Sequence, residues 1–132
     1  MLLNESYDVL YISELNCVFV KWKRYCEGDD YRRAQLHALD IIDKHKGCHY
    51  IVDMRDGFRC SSDDDTWLHG HFAPLIYDSG CRHFFFIKNK YSLLDDEIEN
   101  QSALMKRYFS VHCCENFDDI KLILLSDPEF LK

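Results

Sequence analysis

The stretch DYRRAQLHALDIIDKHKGCHYIVD, residues 30–53, decides the fold. Apolar side chains recur at helical spacing from Tyr31 to Ile42, which predicts an amphipathic helix. A cationic last turn followed by Gly47 predicts the end of that helix, and either Asp29 or Asp30 can cap its start. The short apolar run CHYIVD comes next and predicts a buried strand. A helix that leads directly into a strand indicates a βα repeat.

The same alternation continues on both sides of this stretch. Two β-branched and aromatic runs precede it and are close enough for a hairpin, at residues 7–13 and 17–23. After it, two further strands are predicted at residues 81–88 and 111–115. Three further helices are predicted at residues 63–80, 95–109 and 117–125. Pro74 lies inside the first of these helices and predicts a kink or a break near Ala73.

The order of these elements predicts one α/β domain over residues 1–132. Strands that alternate with helices run parallel and are joined by right-handed crossovers, while the first strand of the hairpin is expected antiparallel at an edge. The expected architecture is a mixed five-stranded sheet with an N-terminal hairpin and about four helices.

Composition excludes several classes of protein. Hydrophobic residues make up 47% of the chain, too many for a disordered protein. The net charge of −7 argues against nucleic acid as a partner, because binding to phosphates needs a basic face. We find no signal-peptide pattern and no apolar run of membrane-spanning length, so we expect a cytoplasmic protein without a membrane partner. The odd number of cysteines, seven, agrees with this, and Cys17, Cys48 and Cys81 are expected to be buried at strand starts.

Catalytic, cofactor and metal signatures are missing from the sequence. It contains no glycine-rich phosphate loop and no nucleophile elbow, so we expect no cofactor and no enzymatic activity. His49, His83 and His112 lie on separate predicted strands and could approach one another on one face. The ligand spacing of structural zinc sites is absent, so no metal site is expected. A Cys–His pair assembled in space stays open.

Several motifs, in their order along the chain, resemble the SpoIIAA-like group, which includes the STAS domains. Small bacterial proteins described as STAS-like carry a similar Asp-x-Arg after the third strand, an acidic-x-x-Trp helix start and a late Phe-x-Asp helix. The matching segments here are the opening hairpin that closes at Trp22, the helix at Tyr31 and Arg32, VDMRD (residues 52–56), SSDDDTW (residues 61–67), Pro74 with Gly80, and ENFDDIKLILL (residues 115–125).

This resemblance implies a right-handed βα superhelix and a function without catalysis. The best-known members bind protein partners, and a serine at the start of their second helix is phosphorylated. Ser61 and Ser62 are the positional matches, but Asp63 to Asp65 follow them here in place of the family's Asp-Ser-Ser-Gly type of sequence. These aspartates would repel a phosphate, whereas at a helix start they are favoured by the helix dipole. Capping preferences favour Ser62 as an ordinary helix cap over a phosphorylated serine.

The loop after the third predicted strand is the best general candidate for a ligand or partner site. It contains Asp53, Arg55 and Asp56, and ligands of open α/β sheets bind outside the carboxyl ends of the strands. An aspartate and an arginine in one short loop can also simply pair with each other.

Aromatic residues suggest two further possibilities. Three consecutive phenylalanines, Phe84 to Phe86, place apolar side chains on both faces of a strand, so either the strand is central or a second subunit covers one face. Together with Trp22, Trp67 and Phe72 they could instead line a pocket for a small apolar ligand or lipid.

The leading hypothesis is a cytosolic, non-enzymatic STAS-like module that acts through contacts with a protein partner or as a homodimer, in a regulatory role. The alternative hypothesis is the apolar-ligand binder.

Overall fold

Six strands form one mixed sheet in which the spatial order equals the order along the chain. The computed structural model describes residues 2–57, 62–89, 99 and 102–126. The strands are β1 (Leu2–Leu3), β2 (Tyr7–Ile12), β3 (Cys17–Trp22), β4 (His49–Asp53), β5 (His83–Ile87) and β6 (Ser110–Cys114). Strand β2 is antiparallel to both β1 and β3, whereas β3 to β6 run parallel to one another.

The α/β class and the mixed sheet are therefore confirmed, with one correction. All five predicted strands are present, but the predicted first strand, β2, is not at the edge. The two-residue strand β1 pairs with it, Leu2 opposite Val9 and Leu3 opposite Asp8. A segment of two residues is too short to show the alternation by which strands are recognised in a sequence.

Helices connect the parallel strands, and the predicted interruption near Ala73 is confirmed. The backbone N–H of Ala73 donates to the carbonyl of Leu68, five residues back, which is the hydrogen bond of a π-helix. Pro74 follows in the first turn of the next helix, where its missing N–H costs no hydrogen bond. The helical elements are α1 (Asp29–Lys44), α2 (Ser62–Trp67), the π-helical turn (Leu68–Phe72), α3 (Ala73–Asp78) and α4 (Phe117–Ser126).

A further helical segment precedes β6. Residues 99 and 102–105 are helical, within the helix predicted over residues 95–109, but the helix ends at residue 105 and residues 106–109 form a turn. Residues 95–98, 100 and 101 of that prediction lie outside the described residues. The backbone N–H of Lys106 donates to the carbonyl of Ser102 at 3.0 Å and closes this turn.

The start of α1 differs from the prediction. The residue before the helix is Gly28, and Asp29 and Asp30 lie in the first turn instead of capping it. Gly28 has a φ of +66°, a left-handed conformation that favours glycine. Glycine has no side chain that could accept a hydrogen bond from the backbone N–H groups at this helix end. The acceptor for the backbone N–H of Gly28 therefore comes from elsewhere in the fold.

The sheet buries one apolar cluster on each face. On the first face, α1 and the helices α2 and α3 cover side chains that include Trp22, Phe84 and Phe86. On the second face, α4 contributes Ile120 and Leu124 to a cluster with Ile51, Phe85 and Ile87. The three consecutive phenylalanines are at most 3% exposed and are covered on both faces by the chain itself. Their pattern therefore does not require a second subunit.

The predicted burial of cysteines at strand starts is confirmed. Cys17, Cys48 and Cys81 are fully buried, and burial raises the pKa of their thiols to about 12, about 11 and about 12. These thiols are protonated at neutral pH and act as small apolar side chains. None of the helices in the described part of the chain has the length and apolarity needed to span a bilayer.

Candidate functional site

Asp53 and Arg55, at the carboxyl end of β4, form a tight ion pair within the loop. Two of the guanidinium nitrogens of Arg55, Nε and Nη2, donate to the two carboxylate oxygens of Asp53 at 3.1 and 2.8 Å. The backbone N–H of Arg55 adds a third bond at 3.1 Å. Hydrogen bonding to Asp53 raises the pKa of Arg55, so the guanidinium is charged at neutral pH. Because Asp53 is only 1% exposed, its carboxylate is directed into the loop and away from solvent.

Neighbouring strands hold this loop from both sides. The backbone N–H of Met54 donates to the carbonyl of Ile87 at 2.9 Å, and Asn89 Nδ2 donates to the carbonyl of Arg55 at 3.1 Å. On the other side, Lys21 Nζ lies 3.5 Å from a carboxylate oxygen of Asp56. The pairing of Asp53 with Arg55, weighed above as the simpler explanation, is therefore present. A role of Asp53, Arg55 and Asp56 in ligand or partner binding stays a prediction.

Asp64 has a role that the sequence analysis did not anticipate. The sequence placed it with Asp63 and Asp65 in an acidic first turn, but Asp64 is fully buried. Its two carboxylate oxygens accept hydrogen bonds from the backbone N–H of Gly28, at 2.8 Å, and from Arg32 Nε, at 3.2 Å. The carboxylate thus caps α1 from another helix. One signal was available in the sequence, namely that α1 begins after a glycine, which has no side chain to cap it.

The candidate phosphorylation site lies next to this contact. Helix α2 begins at Ser62, one residue earlier than predicted, and Ser61 lies outside the described residues. A phosphate on Ser62 would stand two residues from the buried carboxylate of Asp64. The expected repulsion would therefore act on a carboxylate that joins α2 to α1. Phosphorylation of either serine stays a prediction.

Three histidines come together at the other end of the parallel strands, as the sequence analysis considered. His83 Nδ1 lies 3.4 Å from His112 Nε2, and the rings of His49 and His83 meet edge to face with centroids 5.6 Å apart. Burial, followed by the nearby imidazoles of His83 and His112, lowers the pKa of His49 to about 4. His49 is therefore neutral at pH 7. Within the described ranges, no three His, Cys, Asp or Glu side chains are arranged to hold a metal ion.

The aromatic residues considered for an apolar pocket pack against other core side chains. Trp22 stacks on Tyr31 with ring centroids 5.4 Å apart, and Trp67 stacks on Phe72 at 5.2 Å. Phe84 lies 5.1 Å from Phe86. Side chains of the chain itself thus occupy the space around these rings, and their arrangement does not favour an apolar ligand.

Helix α4 exposes leucines on the side that faces away from the sheet. Leu122 is 66% exposed and Leu125 is 53% exposed, whereas Ile120 and Leu124 on the inner side are buried. The two leucines line a shallow groove together with Asp118 and Lys121. Two exposed leucines three residues apart are thus present on the outer side of a ten-residue helix, where the side chains are normally polar.

No protein-family model matches this sequence, and no curated protein matches it either. The geometry is therefore the main guide to function. The α/β class and the mixed sheet follow from the structure. The resemblance to the SpoIIAA-like group depends on the motifs quoted above.

Proposed function

We propose that this protein is a non-enzymatic, STAS-like interaction module that pairs with a second copy of itself through the outer side of α4. The observation that carries the proposal is the exposure of Leu122 and Leu125 on a helix whose inner side is already occupied by the core. The proposal includes a regulatory role for this pairing, as the family resemblance implies.

The two leucines supply the apolar part of the contact. Complete burial of a leucine side chain contributes about 1.5–3 kcal/mol, so burial of two side chains that are half to two-thirds exposed is worth about 2–3 kcal/mol for each copy. Among exposed leucines elsewhere, Leu36 on α1 is followed three residues later by Leu39, but Leu39 is only partly exposed and packs against the core, and Leu75 is the single leucine of α3. The outer side of α4 is thus the more extensive apolar surface among these helices.

The charges beside the leucines favour a second copy as the partner. Asp118 and Lys121 line the same groove of α4, Asp118 four residues before Leu122 and Lys121 four residues before Leu125. When two such helices pair antiparallel with the two-fold axis at Leu122, Lys121 of each copy lies about 7.5 Å along the helix axis from Asp118 of the partner subunit, roughly one and a half helical turns. A surface that carries one charge of each sign in this way is complementary to itself.

The experiment compares variants of α4 with matched leucine variants elsewhere. The double variant Leu122→Ser, Leu125→Ser is expected to sediment as a monomer at concentrations at which the wild type forms a dimer. The control variant Leu36→Ser, Leu75→Ser also removes two exposed leucines and is expected to keep the dimer. Sedimentation velocity over a range of protein concentrations measures both. A wild-type protein that stays monomeric at the highest concentration would refute the pairing.

A charge exchange tests the orientation of the pair. Asp118→Lys and Lys121→Asp should each weaken association, because each places like charges opposite one another in the two copies. The double variant with both substitutions should recover at least part of the affinity. Failure of the double variant to recover would contradict the antiparallel arrangement.

A further inference from the structure

The π-helical turn Leu68–Phe72 contains a histidine whose ring forms no hydrogen bond with the described residues. Both ring nitrogens of His69 are buried, and neither has a hydrogen-bond partner there. A neutral imidazole carries one N–H donor and one acceptor nitrogen, so two hydrogen bonds are missing at a single side chain. Buried polar atoms in native proteins are normally hydrogen-bonded, and each exception calls for an explanation.

The surroundings of His69 favour its neutral form. Burial lowers the pKa of the imidazole, the carboxylate of Asp65 partly raises it, and the guanidinium of Arg107 lowers it further. Among the described residues, these are the charged groups that face the ring, Asp65 from α2 and Arg107 from the turn before β6. Protonation would add a second N–H donor and a full charge where no acceptor is hydrogen-bonded to the ring. The imidazolium therefore needs water, which the closed turn excludes.

The backbone of the π-helical turn is easier to open than the segments beside it. Pro74 has no N–H, so it cannot donate to the carbonyl of Gly70 four residues earlier. Gly70 itself favours a helix less than alanine would. The flanking segments are anchored, since Asp64 is hydrogen-bonded to α1 and both Ala73 and Ile76 of α3 are buried. A local opening is thus expected within the turn.

We propose that His69 makes the π-helical turn an acid-sensitive switch, which is closed at neutral pH and opens locally when the imidazole takes up a proton. In the closed turn, Leu68 and Phe72 are buried in the core, and Trp67 stacks on Phe72. Opening lets water reach the imidazolium and exposes these apolar side chains. The switch lies on the first face of the sheet and is independent of the proposed pairing through α4.

The pH range of the switch follows from the two states of the imidazole. In the open turn His69 has the ordinary histidine pKa of 6.5, whereas in the closed turn its pKa is lower. The stabilisation of the closed turn by neutral His69 is therefore complete above pH 6.5 and is lost as the pH falls below that value. One proton linked to opening changes the ratio of open to closed turn by up to about tenfold per pH unit.

Two NMR measurements on the isotope-labelled full chain test the switch without any substitution. A titration followed at the imidazole should give His69 a pKa below 6.5. Hydrogen exchange at the backbone amides of residues 70–73, corrected for the intrinsic pH dependence of exchange, should show a protection that falls by up to about tenfold between pH 6.5 and pH 5.5. A pKa of 6.5 or above, or a protection that does not change with pH, would overturn the proposal.

Variants assign the response to the His69 ring. His69→Leu keeps an apolar side chain that cannot take up a proton, so the fall in protection of residues 70–73 should be largely lost. His71→Gln removes an exposed imidazole from the same turn and should retain the wild-type response. His49 is present in all these proteins, so its own titration cancels in the comparison. An equal pH response in His69→Leu and wild type would contradict the assignment.

A third variant separates the backbone of the turn from the ring. Gly70→Ala adds a Cβ that meets no atom within 4 Å and strengthens the helical backbone. It should raise the protection of residues 70–73 by about threefold to fivefold at every pH, whereas the fall per pH unit should stay as in wild type. Loss of the pH response in Gly70→Ala, with the response retained in His69→Leu, would refute the role of the imidazole.

Discussion

Replacement of Asp64 is expected to destabilise the protein far more than replacement of its neighbour Asp63. Asp64→Ala removes two charge-assisted hydrogen bonds, one to the backbone N–H of Gly28 and one to Arg32 Nε. Loss of one partner of a fully buried ion pair costs about 3–5 kcal/mol. The Arg32 side chain is 37% exposed and can regain water, which reduces the cost here to about 2–4 kcal/mol. Asp63 is exposed, so Asp63→Asn should change stability by less than about 0.5 kcal/mol.

A graded series makes this prediction sharper. Asp64→Asn retains an acceptor for the Gly28 N–H but loses the charge, so its cost should fall near half that of Asp64→Ala, at about 1–2 kcal/mol. Urea unfolding at pH 7, followed by circular dichroism and checked for equal m-values, gives the free energy of unfolding. Hydrogen exchange should speed up first at the start of α1, the end that the carboxylate caps. If Asp64→Ala and Asp63→Asn are equally stable, the carboxylate does not hold the two helices together.

Three other predictions concern the core and the loop. The pKa of His49 is about 4 in the folded state and 6.5 in the unfolded state, so the unfolded chain takes up a proton first as the pH falls. The stabilisation of the folded state by neutral His49 is therefore complete above pH 6.5 and is lost as the pH falls toward 4. His49→Gln should therefore remove about 2–3 kcal/mol of the wild-type loss of stability between pH 7.5 and pH 4.5, measured by urea unfolding. Gly57→Ala should destabilise the protein by about 2 kcal/mol or more, because the new Cβ would lie 2.3 Å from a backbone carbon of Arg24. As a control, the Cβ of Gly70→Ala would meet no atom within 4 Å, so this variant should be neutral or slightly stabilised in thermal unfolding. Gln35→Ala should cost about 1–3 kcal/mol, since it leaves the buried hydroxyl of Tyr50 without the amide oxygen to which it donates, and an equal stability of the two proteins would refute that role.

Local periodicity explains why much of the fold could be predicted. The spacing of Tyr31, Ala34, Ala38 and Ile42 has the period of a helix, and all four side chains are buried as that period implies. Strand β5 was equally clear from its run of aromatic residues. In both cases the residues that decide the structure are neighbours along the chain, so the signal is present in a short window of sequence.

Contacts between distant residues explain what could not be predicted. Asp64 and Gly28 are separated by 36 residues, and nothing in the local pattern distinguishes Asp64 from Asp63 or Asp65. A cavity lined by Lys88, Ser102 and Cys113 likewise exists only when three separate segments, the end of β5, residues 102–106 and β6, lie side by side. The loop that contains Asp53 was predicted only in part. Its position after β4 could be predicted from the sequence, whereas the direction of the Asp53 carboxylate is seen only in the structure.

The inner side of α4 stabilises the fold, and its outer side carries the leucines of the proposed pairing. On the inner side, Ile120 and Leu124 complete the cluster around Phe85, and Phe117 packs edge to face on Phe19 with ring centroids 5.5 Å apart. Displacement of the helix would expose these aromatic rings, at a cost of several kcal/mol by area. The outer leucines are therefore presented on a surface that exists before any partner arrives, and association should proceed with little rearrangement of the backbone. It follows that changes at Leu122 and Leu125 should alter association while the stability of the monomer stays nearly constant, whereas changes at Ile120 should lower both.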